Sequence, residues 1–222
     1  MFNFIKIGEV PKNTWSSEET FNLKPKLKTV FALVVGLILF GLGEAILVTS
    51  QIGVSPWTAL AQGLSNFSGI GLGLITFFIS VVVLLLWIPL KQKPGIGTIL
   101  NAIIISFVLH YAVPVLPVFD ENILRLVQAI LGVLITGLGG GIYLIANLGP
   151  GPRDGLMTGL QRVTNFPIAW VRSSIEITVL TIGWSLGGVI GLGTILFAFG
   201  IGPCLALSLK IFGSFKSCTN LQ

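Results

Sequence analysis

The residues that could do chemistry in this chain stand in two kinds of place. The first is a pair of matching loops. Gly53-Val54-Ser55-Pro56 runs into 57–64, and Gly149-Pro150-Gly151-Pro152 runs into 153–160. Ser55 suits a helix N-cap, and Pro56 and Pro152 suit the first helical position. Gly53 and Gly149 suit left-handed caps that close the helices before them. Each loop therefore predicts a break followed by a short helix, well below the ~20 apolar residues that cross a bilayer. Such a helix either re-enters the membrane or lies in its interface. A half-helix leaves its first N–H groups free at the positive end of its dipole, which suits an anion, a carboxylate or a polar solute. Ser55, Trp57, Arg153 and Asp154 are therefore substrate-binding candidates.

The second kind of place is an ionisable residue inside an apolar run. A charge at the centre of a spanning helix costs roughly 2.5–3.5 kcal/mol on insertion scales, so such residues need a reason. Glu44 stands alone in the first apolar run and is the candidate coupling acid. Arg172 and Glu176 are spaced i, i+4, share a helix face, and join the substrate-binding candidates. Asn101 reads as an interhelical hydrogen-bonder, and His110, Trp87, Trp170 and Trp184 as interfacial residues. Ala59-x-x-x-Gly63 and Gly155-x-x-x-Gly159 offer small-residue faces for close packing. GPGPRDG lacks the spacing and the Lys-Ser/Thr ending of a phosphate-binding loop.

These residues need a scaffold, and composition decides its class. Of 222 residues, 53% are hydrophobic and only 9% charged, with a mean hydropathy of +0.95. A soluble domain carries roughly 25% charged residues. The composition excludes a water-exposed surface, and with it soluble enzymes, disordered tails and nucleic-acid readers. Membrane lipid is the expected surrounding. Two cysteines and one histidine make no disulfide framework and leave little for zinc. No nucleophile–base set is visible, so no enzymatic activity, metal or other cofactor is expected.

Six apolar runs can span: 29–50, 71–90, 96–117, 123–146, 168–187 and 191–212. Every basic residue except Arg125 then falls on one side: Lys6, Lys12, Lys24, Lys26, Lys28, Lys91, Lys93, Arg153, Arg162, Arg172, Lys210 and Lys216. The positive-inside rule makes that side, and both termini, cytoplasmic. Residues 1–28 form a cytoplasmic or interfacial segment with no cleavable signal, and 213–222 a cytoplasmic tail.

Shifting the chain by 96 residues lays 41–64 over 137–160, and 94–102 over 190–198, without a gap. Gly36, Gly41, Gly43, Gly53, Pro56, Leu60, Gly63, Leu64, Gly95, Gly97 and Thr98 each meet an identical residue. The repeats are 29–117 and 123–212. Each holds three spans, an odd number, so the second copy enters from the opposite face. The expected fold is all-α: six transmembrane helices in two inverted-topology repeats, each with a half-helix after its first span.

The patterns GLGEAILVTSQIGVSPWTALAQGL, PGIGTILNA and GLGPGPRDGLMTGL resemble the YczE-like bacterial integral membrane proteins, related to the YitT group, over about 36–205. The resemblance implies a bacterial inner-membrane protein and says little about substrate. Gln51 stands where that group commonly has an acidic residue, which argues against a cation site there.

The expected function is transport of a small polar or anionic solute between the two repeats. A passive channel and a non-transporting membrane regulator or assembly partner are the rivals. Expected partners are lipid and solute, with a homo-oligomer open and nucleic acid excluded.

Overall fold

The computed structural model describes residues 10–11 and 13–213. The expectations for Lys6, Lys12, Lys216 and the tail beyond Gly213 lie outside them. Among the described residues the fold is all-helical: α1 Leu27–Thr49, α2 Pro56–Ser68, α3 Leu72–Leu86, α4 Ile96–Ala112, α5 Asn122–Ile145, α6 Pro152–Thr164, α7 Ile168–Ser185 and α8 Leu192–Gly213.

Three helices, α1, α5 and α8, are long and apolar enough to cross a membrane; α2 and α3 together make a fourth candidate, bent by 116° at the break between them. The runs expected as spans at 71–90 and 96–117 form shorter helices, α3 with 15 residues and α4 with 17. Pro89 follows α3, and Pro114 and Pro117 follow α4. Proline lacks an N–H and disfavours helix before it, so an apolar run that contains it yields less helix than its hydropathy suggests. The 18-residue α7 holds both Arg172 and Glu176.

α1 and α5 form the centre, in contact along their lengths. Glycines allow it. A Cβ on Gly36 would stand 2.6 Å from the Tyr143 amide and 3.0 Å from the Gly139 carbonyl, and one on Gly43 would stand 2.7 Å from the Gly132 carbonyl. The rising pair 36 and 43 meets the falling pair 139 and 132, so the helices cross antiparallel. Close approach of backbones supplies the packing attraction that lipid does not oppose. α4 packs on α1 and α8 on α5; α2 packs on α7 and α3 on α6.

The 96-residue spacing reappears in the backbone. Gln51 (φ 59°) pairs with Asn147 (52°), Gly53 (122°) with Gly149 (116°), Gly69 (73°) with Asn165 (57°), and Lys91 (51°) with Gly187 (91°). Every positive-φ position among the described residues thus has its mate in the other half. The contacts match too. Gly97 N–H donates to the Leu148 carbonyl at 2.7 Å, and Gly193 N–H to the Ile52 carbonyl at 2.8 Å. The loop after α1 therefore rests on α8, and the loop after α5 rests on α4. Asn66 donates to the Gly187 carbonyl, and its mate Arg162 to the Leu90 carbonyl.

Two local expectations change. α1 and α5 end at Thr49 and Ile145, and the left-handed residues nearest their ends are Gln51 and Asn147, not Gly53 and Gly149. Gly53 is needed for space as well as for φ, because a Cβ would stand 2.7 Å from the Gly191 amide. The N-terminal segment is also less superficial than expected. Ser17 is buried and donates from its N–H to the Ala146 carbonyl, while Asn147 Nδ2 donates to the Ser17 carbonyl. Trp15 packs on the cluster of Leu33, Leu37 and Tyr143.

Candidate functional site

The site begins with α2 and α6. Both start at proline, as the loop grammar predicts, with Ser55 and Gly151 as N-caps. Ser55 has extended N-cap geometry but makes no side-chain cap. Its Oγ donates instead to Glu44 Oε2 at 2.9 Å, and Thr58 Oγ1 donates to the same oxygen at 2.6 Å. Ser55 and Thr58 are also 2.9 Å apart. Glu44 is 1% exposed, and its Oε1 has no hydrogen-bond partner among the described residues. The lone acid of α1 therefore finds its partners across a loop, on the first turn of α2.

The other half carries a related contact. Thr58 has Asp154 as its mate, and Tyr143 Oη donates to Asp154 Oδ2 at 2.8 Å. Tyr143 is buried, 5% exposed, on α5. In each half a polar side chain of the central helix holds the first turn of the following short helix. Glu44 does so in one half. In the other its mate is Gly140, and Tyr143, one turn farther along, takes the part.

The two first turns meet. Arg153 Cζ lies 5.2 Å from the ring centroid of Trp57. These two residues are themselves mates, at the second helical position of α2 and α6. Arg153 is half-buried, and no acceptor among the described residues hydrogen-bonds its guanidinium. It lies within electrostatic reach of Glu44, Asp154, Tyr143 and Glu176. Trp57 is 6% exposed, and its indole N–H has no acceptor among the described residues. A guanidinium offers five N–H donors and no acceptor, and an aromatic face under it holds its plane. The arrangement can take a carboxylate, phosphate or sulfonate.

Arg172 Nε donates to Glu176 Oε1 at 2.8 Å, the expected i, i+4 pair. Their side chains are 50% and 29% exposed, so the pair is not packed into the interior. Arg172 acts electrostatically on Tyr143, and Glu176 on Arg153. All seven sequence candidates, Ser55, Trp57, Arg153, Asp154, Arg172, Glu176 and Glu44, thus fall in one neighbourhood.

Sequence reasoning missed Thr58 and Tyr143. Each was legible as a hydroxyl within a turn of a singled-out position, Thr58 beside Trp57 and Tyr143 a turn beyond Glu44's mate. Asn101 makes no hydrogen bond among the described residues; its Nδ2 stands 3.3 Å from where a Cβ on Gly151 would be. Trp87 is corrected. It is 2% exposed and not interfacial, its Nε1 donates to the Pro152 carbonyl at 3.0 Å, and its ring fills the space beside Gly155. Gly155 leaves room for that ring. Its mate Ala59 packs instead against Gly183, the mate of Trp87.

Beside this polar cluster lies an apolar cavity of about 500 Å³ between α3 and α7, with Trp57 and Leu156 among its lining residues.

The chain is 38% identical over 206 residues to an uncharacterized protein of Haemophilus influenzae, covering 93% of this chain and 94% of that one. It is 33% identical to the uncharacterized membrane protein YczE of Bacillus subtilis, over 78% of this chain and 82% of the relative. It is 28% identical to the uncharacterized protein YyaS of the same organism, over 73% and 83%. No solved structure matches. Apolar helices of spanning length and a membrane-protein relative together make this a membrane protein. Over residues 27–210 the chain matches a family of unknown function, DUF6198, and it belongs to that YczE-like family.

Proposed function

We propose that the protein is a carrier of a small anionic or polar solute, bound where the first turns of α2 and α6 meet. The observation that carries this reading is Arg153, stacked on Trp57 and left without a hydrogen-bond acceptor among the described residues. A half-buried, desolvated cation with free donors is costly unless something else accepts from it. Ser55, Trp57, Asp154, Arg172 and Glu176 complete the binding surface. Glu44, with one oxygen bonded and one free, is the group that would couple a proton to solute movement.

The same reading takes the chain as two inverted repeats of three spans, with both termini on the cytoplasmic side of a bacterial inner membrane. The antiparallel crossing of α1 and α5, the reciprocal loop contacts and the one-sided cations support it. In such a repeat, two half-helices approach the midplane from opposite faces, and rocking one repeat against the other opens each face in turn.

The test is uptake into proteoliposomes holding the full-length protein, with radiolabelled acetate, phosphate and taurine as probes. Saturable uptake of at least one, lost in Arg153→Gln, is the expected result. Flux linear in concentration would make the protein a channel. Absence of flux in every gradient and with every probe would overturn the transport reading.

A further inference from the structure

The cavity between α3 and α7 narrows the solute class. α3 and α7 hold the same place in the two halves, yet they do not pack along each other. The gap between them is lined by Val82 and Val83 from α3, by Ser174 and Ile175 from α7, and by Trp57 and Leu156 of the two short helices. Its lining is almost wholly apolar, and its size, about 500 Å³, lies within the ~300–1,000 Å³ of small-ligand pockets. Phe78, Val82 and Leu86 on its α3 wall are exposed.

A wholly polar solute gains nothing from such a space. One end of the cavity, however, is chemically different. Arg172 lies on the same α7 face as Ile175 and Val179, one turn beyond the lining. Only its Nε is used, by Glu176, so both terminal guanidinium nitrogens remain without an acceptor among the described residues. Trp57 belongs to both environments: its ring lines the cavity, carries Arg153, and keeps an unpartnered N–H.

We propose that the transported solute is an amphiphile, with an anionic head held by Arg172 and Arg153 and an apolar tail lying in the α3–α7 cavity, entering sideways between those helices. This rests on the transport reading and specifies its substrate class. An anionic head on one chain is the shared chemistry; a free fatty acid and an anionic phospholipid are two sources of it.

The test uses the full-length protein in phosphatidylcholine vesicles, with 9,10-dibromostearate as the probe and tryptophan quenching by bromine as the signal. Saturable quenching beyond that of dibrominated phosphatidylcholine is expected. The half-saturating concentration should rise about tenfold in Arg172→Gln, the loss of one charge-assisted hydrogen bond. Saturable quenching should disappear in Val82→Phe/Ser174→Phe, which fills the cavity from both walls at exposed positions. Unbrominated phosphatidylglycerol as competitor separates the sources: relief of the quenching makes a phospholipid the amphiphile, and unchanged quenching a fatty acid. Equal quenching by dibromostearyl alcohol, or no change in Arg172→Gln, would overturn the proposal. Acetate uptake unaffected by the cavity-filling pair, without stearate binding, sinks the amphiphile and leaves the carrier standing. Arginine-dependent stearate binding with no flux of any probe, stearate included, overturns carriage and leaves the amphiphile as a bound ligand alone.

Discussion

Trp57 and Arg153 occupy the same position in two matching short helices, 96 residues apart, and the guanidinium carbon of one lies 5.2 Å from the ring centre of the other. Duplication of a half that holds Trp57 would put two aromatic rings face to face. Here one copy has an arginine, so the junction is an aromatic shelf with a cation on it. The asymmetry turns an aromatic contact into one that presents guanidinium N–H donors.

The first prediction concerns that cation. Arg153→Lys keeps the charge and loses the planar fork; Arg153→Gln loses the charge. Arg153→Gln should weaken solute binding by about 30-fold, or ~2 kcal/mol, with Arg153→Lys between it and the wild type. Uptake kinetics in proteoliposomes measure both. Equal KM in all three proteins would remove Arg153 from the site.

Glu44 separates structure from coupling. Glu44→Ala leaves the Ser55 and Thr58 hydroxyls facing a buried gap and should cost about 1–3 kcal/mol of stability. Glu44→Gln keeps the carbonyl acceptor and the shape, and should unfold closer to wild type. Thermal unfolding in detergent ranks them. In Glu44→Gln the pH dependence of uptake should vanish, and its persistence would show that another group carries the proton.

Arg172 and Glu176 form an ion pair that is half open to its surroundings. Exchanging them, Arg172→Glu with Glu176→Arg, preserves the pair and moves the cation by one turn. The double variant should fold, with a melting temperature near wild type, and should lose uptake. Retained uptake would assign the pair a structural role alone.

Gly155 and Trp87 make a size-matched contact that anchors α6 to the end of α3. Gly155→Ala should destabilise by about 1–3 kcal/mol through overpacking. In a Trp87→Leu background the same change should cost about 1 kcal/mol less, because neighbours that share a space are non-additive. A double-mutant cycle of unfolding midpoints gives the coupling.

The last prediction is topological. A cysteine replacing Asn66 should react with an impermeant maleimide in intact cells, and cysteines replacing Lys91 or Arg162 should react only after permeabilisation. Arg162 already hydrogen-bonds the Leu90 carbonyl, which sets the last turn of α6 beside the segment after α3. Labelling of all three from one side would break the inverted arrangement.

The membrane class, the helical content and the internal repeat were legible in the sequence, because each follows from composition, run length or register. So were the short helices: proline at the first turn and small residues before it act locally, and local rules survive folding. The seven candidate residues stand out in the sequence because polar groups are conspicuous in a chain that is 9% charged; their role as a site is the proposal's. What register could not supply was partnership. Glu44 lies closest to Ser55 and Thr58 because the chain reverses after Gln51, and Arg153 reaches Trp57 because α2 and α6 converge. The first contact depends on the turn after α1, and the second on how the two halves pack, with α1 and α5 drawn together at glycines about a hundred positions apart. Tyr143 escaped notice for the same reason, since a tyrosine in an apolar run declares no partner until Asp154 is placed beside it. The cavity was least legible. It arises where α3 and α7 fail to pack, and an unmade contact is a property of the assembled helices, carried by no residue of either run.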